Sequence, residues 1–465
     1  MESPKIFFAR LRDIAGRLDP SFYSPQYREL DEALANCRYE CYDIRDLRIE
    51  VFQGVSRNLL ENDGIRLLKV KNILPDGSID FADTEPISDV PTNKILKDGD
   101  IISPFIGAAI KGYKFGYFED RGGERWSFDN NTGVFRNNDE RVLSRYLWSF
   151  FQLEITHRQL DRIIGGGGVP YLGTEYAKRL RVILPPLPEQ RKIVAELDAA
   201  YAAKRAADEK ATKLRASIDD MVLSELGVKK NDKLDTSLAS RIFTVSSSSI
   251  CNGRFDPKYA FFSRRFAAFK YPTAKLGALL SEPPAYGAGE AGVERISKQQ
   301  PRYVRITDID ENGDMLPGLG VTAQNIDSAY FLRDGDILFA RSGNTVGKTY
   351  LHRIKDIQDE CIYAGYMIRF RFTDAVLPEY VFAYTQTSYY HEWVQMVQRT
   401  AGQPNINAQE YRGMTIPVPP LTVQKRIAST ASSIRAEARK LKADATAALD
   451  AAKRKIEEEL MIKEN

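Results

Sequence analysis

Apolar residues follow two patterns along this chain, and the two patterns alternate. In residues 1–184 and again in 231–418, short apolar runs such as Ile65–Ile73 and Tyr366–Phe372 are separated by turn dipeptides such as Asp76-Gly77. Short runs rich in β-branched and aromatic residues, bounded by such dipeptides, are typical of strands joined by tight turns. We therefore expect two compact mixed α/β domains, each with a few helices such as one over Leu143–Leu160.

The second pattern is a heptad seam. Between residues 193 and 221, mostly small and apolar positions advance by four and three residues in strict alternation, without an intervening glycine or proline. A similar seam runs from residue 427 to 456, with one additional step of four residues that indicates a stutter. Such steps are typical of coiled coils, so each segment is predicted to be one long helix. Because one chain holds both helices, we favour an internal antiparallel pair over helices that pack only on their own domains.

The two halves of the chain repeat each other. Three motifs recur in the same order at a nearly constant offset, namely Arg17–Pro20 with Arg254–Pro257, Leu96–Ile102 with Leu332–Leu338, and Pro185–Ile193 with Pro419–Ile427. Self-similarity of this kind indicates two copies of one structural unit. The predicted organisation is a globular domain at 1–184, a helix at 185–230, a second domain at 231–418 and a second helix at 419–465.

Composition narrows the class of protein. The chain has 465 residues, of which 43% are hydrophobic and 11% aromatic, enough to build more than one core. Its 66 basic and 63 acidic residues give a net charge of +3, so any nucleic-acid-binding surface must be local. No apolar run reaches the roughly 18 residues of a membrane-spanning helix, and the N-terminus lacks the layout of a signal peptide. We expect a soluble, cytoplasmic protein without membrane contact.

Residues suited to catalysis do not cluster in the sequence. The three histidines lie far apart, and the four cysteines offer only the lone pair Cys37 and Cys41 as a metal half-site. The segment Gly343–Thr349 is one residue short of a phosphate-binding Walker loop. Glu282–Tyr286 has the wrong first residue for the Asn-Pro-Pro motif of adenine methyltransferases. We therefore expect no catalytic activity, and no metal or cofactor, in this chain.

Several of these motifs are similar to those of a known family. The two helices begin with the segments PPLPEQRKI and PPLTVQKRI, at Pro185–Ile193 and Pro419–Ile427. Further similar segments are Gly335–Thr349, Ala401–Asn407 and, in the first half, Gly165–Pro170. Together with the repeat of domain and helix, these segments resemble the specificity subunits of type I restriction–modification systems along essentially the whole chain.

This resemblance implies a fold and a function. The fold would be α+β, with two target recognition domains separated by two long spacer helices that form an antiparallel coiled coil with an internal pseudo-two-fold axis. The function would be to read a bipartite, asymmetric site on double-stranded DNA, one domain for each half-site, in a phage-defence system. Two methyltransferase subunits and the restriction and translocation subunits would dock on the chain and supply S-adenosylmethionine, ATP and Mg²⁺ sites. The alternative is a non-catalytic assembly scaffold whose domains bind protein rather than DNA.

Candidate DNA contacts follow from the side chains that reach DNA. Arg, Lys, Asn and Gln bind base edges, while basic and hydroxyl groups bind phosphates. Side chains of these types in both domains are Ser56, Arg57, Lys69, Lys71, Asn72, Lys111, Lys114, Arg305, Thr307, Arg341, Ser342, Asn344 and Lys348. Lys69 and Lys71 are expected on one face of a strand over 68–72, because alternate strand residues point the same way. The loop 107–112 differs from 343–348, so the domains are expected to read different sequences.

The apolar seams are candidate contacts with partner helices, because an apolar stripe on a long helix requires a partner. The seam residues chosen are Ile193, Leu197, Leu214, Ile218, Ile427, Ile434, Leu441 and Ile456. We expect the two long helices to hold the assembly together.

Overall fold

The structure is a computed structural model that describes residues 20–56, 64–164, 169–228, 235, 237–244, 257–263, 268–398 and 402–462. The chain divides into two compact units. Unit 1 comprises residues 1–208 and 442–465, and unit 2 comprises residues 209–441. Each long helix therefore contributes one segment to each unit.

Unit 1 is built on a four-stranded antiparallel sheet with the strand order β2-β8-β5-β6. The strands of this unit are β1 Cys41–Asp43, β2 Ile49–Gln53, β3 Ile65–Leu68, β4 Glu85–Ile87, β5 Ile101–Pro104, β6 Gly116–Tyr117, β7 Trp126–Phe128, β8 Thr132–Asn137 and β9 Arg181–Ile183. Strand β3 pairs with β7 in parallel and with β4 in antiparallel, and β1 pairs with β9. Its helices are α1 Pro25–Ala35, α2 Ser144–Phe151, α3 Glu154–Ile164, α4 Gly173–Ala177 and the first part of α5 Leu187–Glu225.

Unit 2 repeats this plan. Its strands are β10 Thr273–Lys275, β11 Ala285–Tyr286, β12 Gly292–Glu294, β13 Arg302–Val304, β14 Val321–Ala323, β15 Ile337–Ala340, β16 Thr349–Leu351, β17 Cys361–Tyr363, β18 Met367–Phe370 and β19 Thr415–Pro417. The main sheet has the order β11-β18-β15-β16, β13 pairs with β17 in parallel, and β10 pairs with β19. The helices are α6 Leu238–Arg241, α7 Pro257–Ser263, α8 Pro378–Tyr384, α9 Ser388–Val397, α10 Ala408–Arg412 and α11 Leu421–Met461.

The strand registers make the two units equivalent residue by residue. In unit 1 Ile101 of β5 lies opposite Phe135 of β8, and in unit 2 Ile337 of β15 lies opposite Phe370 of β18. Counting along these strands makes residue 105 equivalent to 341 and residue 131 equivalent to 366. The predicted repeat of a mixed α/β domain is thereby confirmed.

Both long helices are continuous, and within each unit they run antiparallel. In unit 1, Lys455 of α11 pairs with Glu196 of α5 at 2.7 Å. Lys192, four residues before Glu196, approaches Glu459, which lies four residues after Lys455. In unit 2, Arg426 of α11 pairs with Glu225 of α5. The helices have 39 and 41 residues, as the uninterrupted seams predict.

A buried glutamine attaches each long helix to its own globular part. Gln190 is fully buried; its side-chain oxygen accepts the Leu143 N–H at 2.8 Å, and its amide donates to the carbonyls of Arg141 and Pro185. Gln424 does the same with the Leu377 N–H and the carbonyls of Ala375 and Pro419. The glutamine of the repeated proline-rich motif is therefore a structural residue, because it satisfies backbone groups that burial would otherwise leave unpaired.

Two local predictions need correction. The helix expected over 143–160 is two helices, α2 and α3. The strand expected over 68–72 ends at Leu68, and Val70–Asn72 form a 3₁₀ turn. The turn forms because the buried Asn72 side chain accepts the Lys69 N–H at 2.9 Å and donates to the carbonyl of Asp80 across the loop. Within the described part of the chain, no helix combines the length and the apolar character that a membrane crossing requires.

Candidate nucleic-acid interface

In unit 2, three chain segments meet where β15 ends and β18 begins. The Arg341 N–H donates to the Tyr366 carbonyl at 3.0 Å, and the Gly343 N–H donates to the Pro404 carbonyl at 3.0 Å. The Ile406 N–H in turn donates to the Arg341 carbonyl at 2.9 Å. We call the backbone held by these three bonds the strand-end frame of unit 2.

Unit 1 has the same frame at the equivalent positions. The Phe105 N–H donates to the Asn131 carbonyl at 2.8 Å, the Gly107 N–H to the Pro170 carbonyl at 2.9 Å, and the Leu172 N–H to the Phe105 carbonyl at 2.9 Å. These are the same donor and acceptor positions as in unit 2. The backbone of this region is therefore duplicated together with the rest of the fold.

Beside each frame, two backbone segments cross at close range. One segment contains Gly54 in unit 1 or Gly287 in unit 2, and the other contains Asp129 or Ala364. A Cβ atom added to Gly54 would lie 2.1 Å from the Asp129 carbonyl oxygen, and one added to Gly287 would lie 2.4 Å from the Ala364 carbonyl oxygen. Such distances leave no room for any side chain, so both positions need glycine. The crossing places Gln53 and Tyr286, the residues just before each glycine, at the edge of the frame.

The side chains on the two frames differ although the backbones agree. Position 105 holds a fully buried Phe105, whereas its equivalent is the half-buried Arg341. The exposed Asn131 is replaced by Tyr366, which is 67% exposed. Tyr171, 51% exposed, is replaced by the half-buried Asn405. The frames thus present different polar and aromatic groups on one common backbone.

Four of the sequence candidates lie in or beside the frame of unit 2. Arg341 and Ser342 belong to it, and the exposed Asn344 lies in the turn that follows. The Lys348 ammonium donates to the Ile309 carbonyl at 2.9 Å and so attaches this turn to the segment at residue 309. The guanidinium carbon of Arg341 lies 4.8 Å from the centroid of the Tyr286 ring.

In unit 1, the corresponding loop carries Lys111 and Lys114. Lys111 is exposed and Lys114 is half-buried. Between them Tyr113, in the left-handed conformation with φ of 47°, stacks on His157 with ring centroids 4.3 Å apart. Burial lowers the pKa of His157 to about 4, so a neutral imidazole carries the stacked tyrosine at neutral pH. The Tyr113 hydroxyl donates to Asp161 at 2.5 Å, and these contacts fix the loop on α3.

Three further candidates of unit 1, namely Lys69, Lys71 and Asn72, are engaged by neighbouring groups. Lys69 forms an ion pair with Glu85, and Lys71 forms one with Asp83 at 2.5 Å that raises the pKa of the ammonium. The Asn72 amide is buried and bonded within its own loop, so it is not available to a base edge. Ser56 is exposed. Arg57 and the glycine run 165–168 lie outside the described residues.

In unit 2, Arg305 occupies the place of Lys69. Its guanidinium donates to both carboxylate oxygens of Asp308, at 2.9 and 3.1 Å, and this hydrogen bonding raises the pKa of Arg305. Thr307, between them, is exposed. Arg305 therefore reaches outward as one half of an ion pair, and its charge is largely compensated.

Sequence reasoning missed Tyr286, Tyr366 and Tyr171 as members of the frames. Each lies in an apolar or glycine-rich run, and none carries the charge that marks a DNA contact in a sequence. The sequence repeat could have revealed them. When the strands of the two halves are aligned, these exposed tyrosines take the positions of the polar residues Gln53, Asn131 and Asn405.

Comparison with known proteins identifies the family. The profile described as "Type I restriction modification DNA specificity domain" matches residues 69–213 and 301–449, one match in each half of the repeat. The chain belongs to this family. The specificity subunit of the type I restriction enzyme EcoKI from Escherichia coli (strain K12) is 23% identical over 386 residues, which cover 80% of this chain and 75% of that protein.

Three solved structures align with nearly the whole of this chain. A chain from a study of assembly and conformational transition of the type I R-M system has 15% identity and a TM-score of 0.46, with 91% of this chain and 96% of that chain covered. The HsdS subunit from Thermoanaerobacter tengcongensis has 15% identity and a TM-score of 0.32, with the same coverage. The S subunit from M. genitalium has 10% identity and a TM-score of 0.40, with 92% and 98% covered.

Membership of the family gives the chain its biochemical class. It is the specificity subunit of a type I restriction–modification system, and specificity subunits are non-catalytic components of these complexes. Among the described residues, no cluster of three or more histidine, cysteine or carboxylate side chains is arranged to hold a metal ion.

The seam residues of this specificity subunit pack within the chain itself. Ile193, Leu197 and Ile456 are buried in the core of unit 1, and Ile218 and Ile427 in the core of unit 2. Ile434 is partly buried against the core of unit 2, and Leu214 and Leu441 are half-buried. These side chains hold each helix segment in its own unit, so a further subunit would have to contact the other faces of the helices.

Proposed function

We propose that each unit of this specificity subunit reads one half of a bipartite, asymmetric DNA site, with the side chains of its strand-end frame directed at the bases. The observation that carries the proposal is one backbone frame, present twice, with different side chains. A duplicated protein that reads two different half-sites needs the same scaffold and different contact residues. The proposed recognition domains are residues 1–184 and 231–418, joined by spacer helices at 185–230 and 419–465.

The side-chain types on the frames support base contact. Arginine, asparagine and glutamine match the donor and acceptor patterns of base edges in the major groove. Asn131, Arg341 and Asn405 are of these types, and exposed tyrosines such as Tyr171 and Tyr366 add apolar surface and a hydroxyl group. Asn131 of unit 1 corresponds to Tyr366 of unit 2, and Tyr171 of unit 1 corresponds to Asn405 of unit 2. Because the residue types at these positions are exchanged, the two half-sites should differ in sequence.

The local charge supports the same surface. Many basic side chains of the chain are neutralised by carboxylates, including Lys69, Lys71 and Arg305. Within the part of the chain that the structure describes, Lys111, Lys114 and Arg341 have no carboxylate at ion-pair distance. A protein with a net charge of only +3 must concentrate its attraction for phosphates in such places.

We further propose that two methyltransferase subunits, and through them the restriction and translocation subunits, dock on the exposed faces of α5 and α11. The repeat supports this number, because two copies of one helix offer two equivalent surfaces. Side chains such as Arg191 and Lys192 on α5, and Lys425 and Arg426 on α11, occupy corresponding exposed positions after the buried glutamines. S-adenosylmethionine, ATP and Mg²⁺ would bind to those partner subunits.

A pair of reciprocal substitutions tests the half-site assignment. Tyr171→Asn and Asn405→Tyr each give one unit the residue that the other unit carries at the equivalent position. In the complex with the methyltransferase subunits, selection of bound duplexes from a random library should show a changed preference in one half-site for the first variant and in the other half-site for the second. Preferences that change in both halves together, or in neither, would refute reading by separate units.

A further inference from the structure

Arg341 is held rigidly at the edge of the unit 2 frame. Its backbone N–H and carbonyl are both bonded within the frame, to Tyr366 and Ile406. Its guanidinium lies over the Tyr286 ring at 4.8 Å, and the Tyr286 hydroxyl accepts the Ala408 N–H at 3.2 Å. The tyrosine is therefore fixed by a bond of its own, and it restricts the arginine side chain to one direction.

Among the described residues, the guanidinium N–H groups of Arg341 are not paired with carboxylates, unlike those of the nearby Arg369 and Arg371. Arg369 donates to Glu282 at 2.9 Å, and Arg371 donates to Asp336 at 2.6 and 3.0 Å and to Glu282 at 2.8 Å. Arg341, by contrast, has a buried Nε without a hydrogen-bond partner among the described residues. Its two Nη groups are not buried, and no described residue accepts a hydrogen bond from them, so they are open to an acceptor from outside.

The guanidinium selects the acceptor. It is planar and offers a rigid fork of N–H donors, which fits two acceptors side by side. Guanine presents its O6 and N7 atoms as such a pair in the major groove. Stacking on Tyr286 keeps the fork extended before DNA arrives, so little conformational freedom is lost on binding.

We propose that Arg341, positioned by Tyr286, reads a guanine in the half-site bound by unit 2. This inference rests on the proposed function of the strand-end frames. The equivalent position in unit 1 cannot make this contact. Phe105 is fully buried there, with its ring against Gly133, where an added Cβ would lie 2.3 Å from the ring. Of the two half-sites, the one read by unit 2 is therefore the one with an arginine-recognised guanine at this place.

Arg341→Ala tests the proposal in the complex with methyltransferase subunits, with Arg333→Ala as the matched control. Arg333 is exposed and lies shortly before the first residue of β15, whereas Arg341 directly follows the last one. Both variants therefore lose one arginine near the same strand. A bidentate arginine contact is worth roughly 5- to 150-fold in discrimination against the wrong base. Arg341→Ala should remove about that preference at one guanine of one half-site, and Arg333→Ala should leave every preference unchanged.

Arg341→Lys covers the case in which the alanine variant does not fold. Lysine retains the charge but lacks the fork, so discrimination at the same guanine should fall while affinity for random duplex stays close to that of the native chain. If Arg341 instead contacts a phosphate, Arg341→Ala would weaken binding to all sequences equally, lower the salt slope by about 0.9 and leave the preferred site unchanged, which would overturn the proposal. A native complex without preference in either half-site would refute the proposed function itself, before any variant is measured.

Discussion

The two units share one sheet and one buried glutamine, yet they hold their helix segments by different chemistry. In unit 1, Trp148 packs on Tyr201 of α5 with ring centroids 5.3 Å apart, and Arg145 pairs with Asp198 of the same helix at 2.6 Å. In unit 2, the position of Trp148 is taken by Phe382, and the smaller ring leaves room for the guanidinium of Arg435, 4.4 Å above it.

A carboxylate completes the unit 2 arrangement. Asp314 accepts hydrogen bonds from Arg215 of α5 and from Arg435 and Arg439 of α11, the latter two at 2.7 and 3.1 Å. Its equivalent in unit 1 is Ser78, whose side chain bonds to Asp76 of its own turn and to no residue of the long helices. The comparison teaches that an aromatic contact and a buried ion cluster can serve the same architectural purpose, with different dependence on charge.

The largest effect is expected from Asp314→Ala. This variant leaves Arg215 and Arg435, whose side chains are 10% and 9% exposed, without their anion. Removing one partner of a buried ion pair costs about 3–5 kcal/mol, because the remaining charge stays desolvated. The matched control is Ser78→Ala at the equivalent position, which should cost less than about 1 kcal/mol. Hydrogen exchange resolved by peptide should show the loss in unit 2 alone, and equal losses in the two variants would contradict the comparison.

Replacing the buried glutamine that each unit contains should lower the stability of either unit by a similar amount. Gln190→Leu and Gln424→Leu each leave one backbone N–H and two carbonyls, one of them buried, without their side-chain partner. Each substitution should therefore destabilise its own unit by about 1–3 kcal/mol, as measured by chemical denaturation of the full chain. A large cost in only one unit would show that the two attachments are not equivalent.

Acid should weaken the ion cluster of unit 2 by protonating Asp314. Burial raises the pKa of Asp314, but the nearby arginines outweigh burial and bring the pKa below its ordinary value of 3.8. A lowered pKa means that the stabilisation is present above about pH 4 and is lost as the pH falls through the folded-state value. The stability difference between the native chain and Asp314→Asn should therefore narrow below about pH 4. A difference that stays constant down to pH 3 would show that Asp314 does not act as an anion.

The smallest effect concerns the salt dependence of DNA binding. Lys111→Ala and Lys114→Ala should each lower the slope of log affinity against log salt by about 0.9, provided that each lysine neutralises one phosphate. Lys69→Ala is the comparison, and it should change the slope less, because the Lys69 ammonium already pairs with Glu85. Titrations of the complex on random duplex at several salt concentrations would measure the slopes, and equal changes in all three variants would show that the loop 107–114 has no special position on DNA.

The sequence by itself determined the plan of this protein. Periodicity and breaking residues are local, so the seams predicted two uninterrupted helices, and the recurring motifs predicted a duplicated domain. The proline-rich motifs with Gln190 and Gln424 also indicated the family, although the reason for the glutamines became visible only in their buried contacts.

The tertiary structure decided which residues share a surface. Asn72 reads as a base-contacting residue in the sequence, but pairing across its loop with Asp80 buries it in a turn. Most of the seam residues, such as Ile193 and Ile427, read as contacts for partner helices, but the cores of the two units already cover them. Arg341, Tyr286 and Asn405 are far apart in the chain and meet only because non-consecutive strands pair. Such pairing depends on contacts between distant segments, which no local pattern of polar and apolar residues encodes.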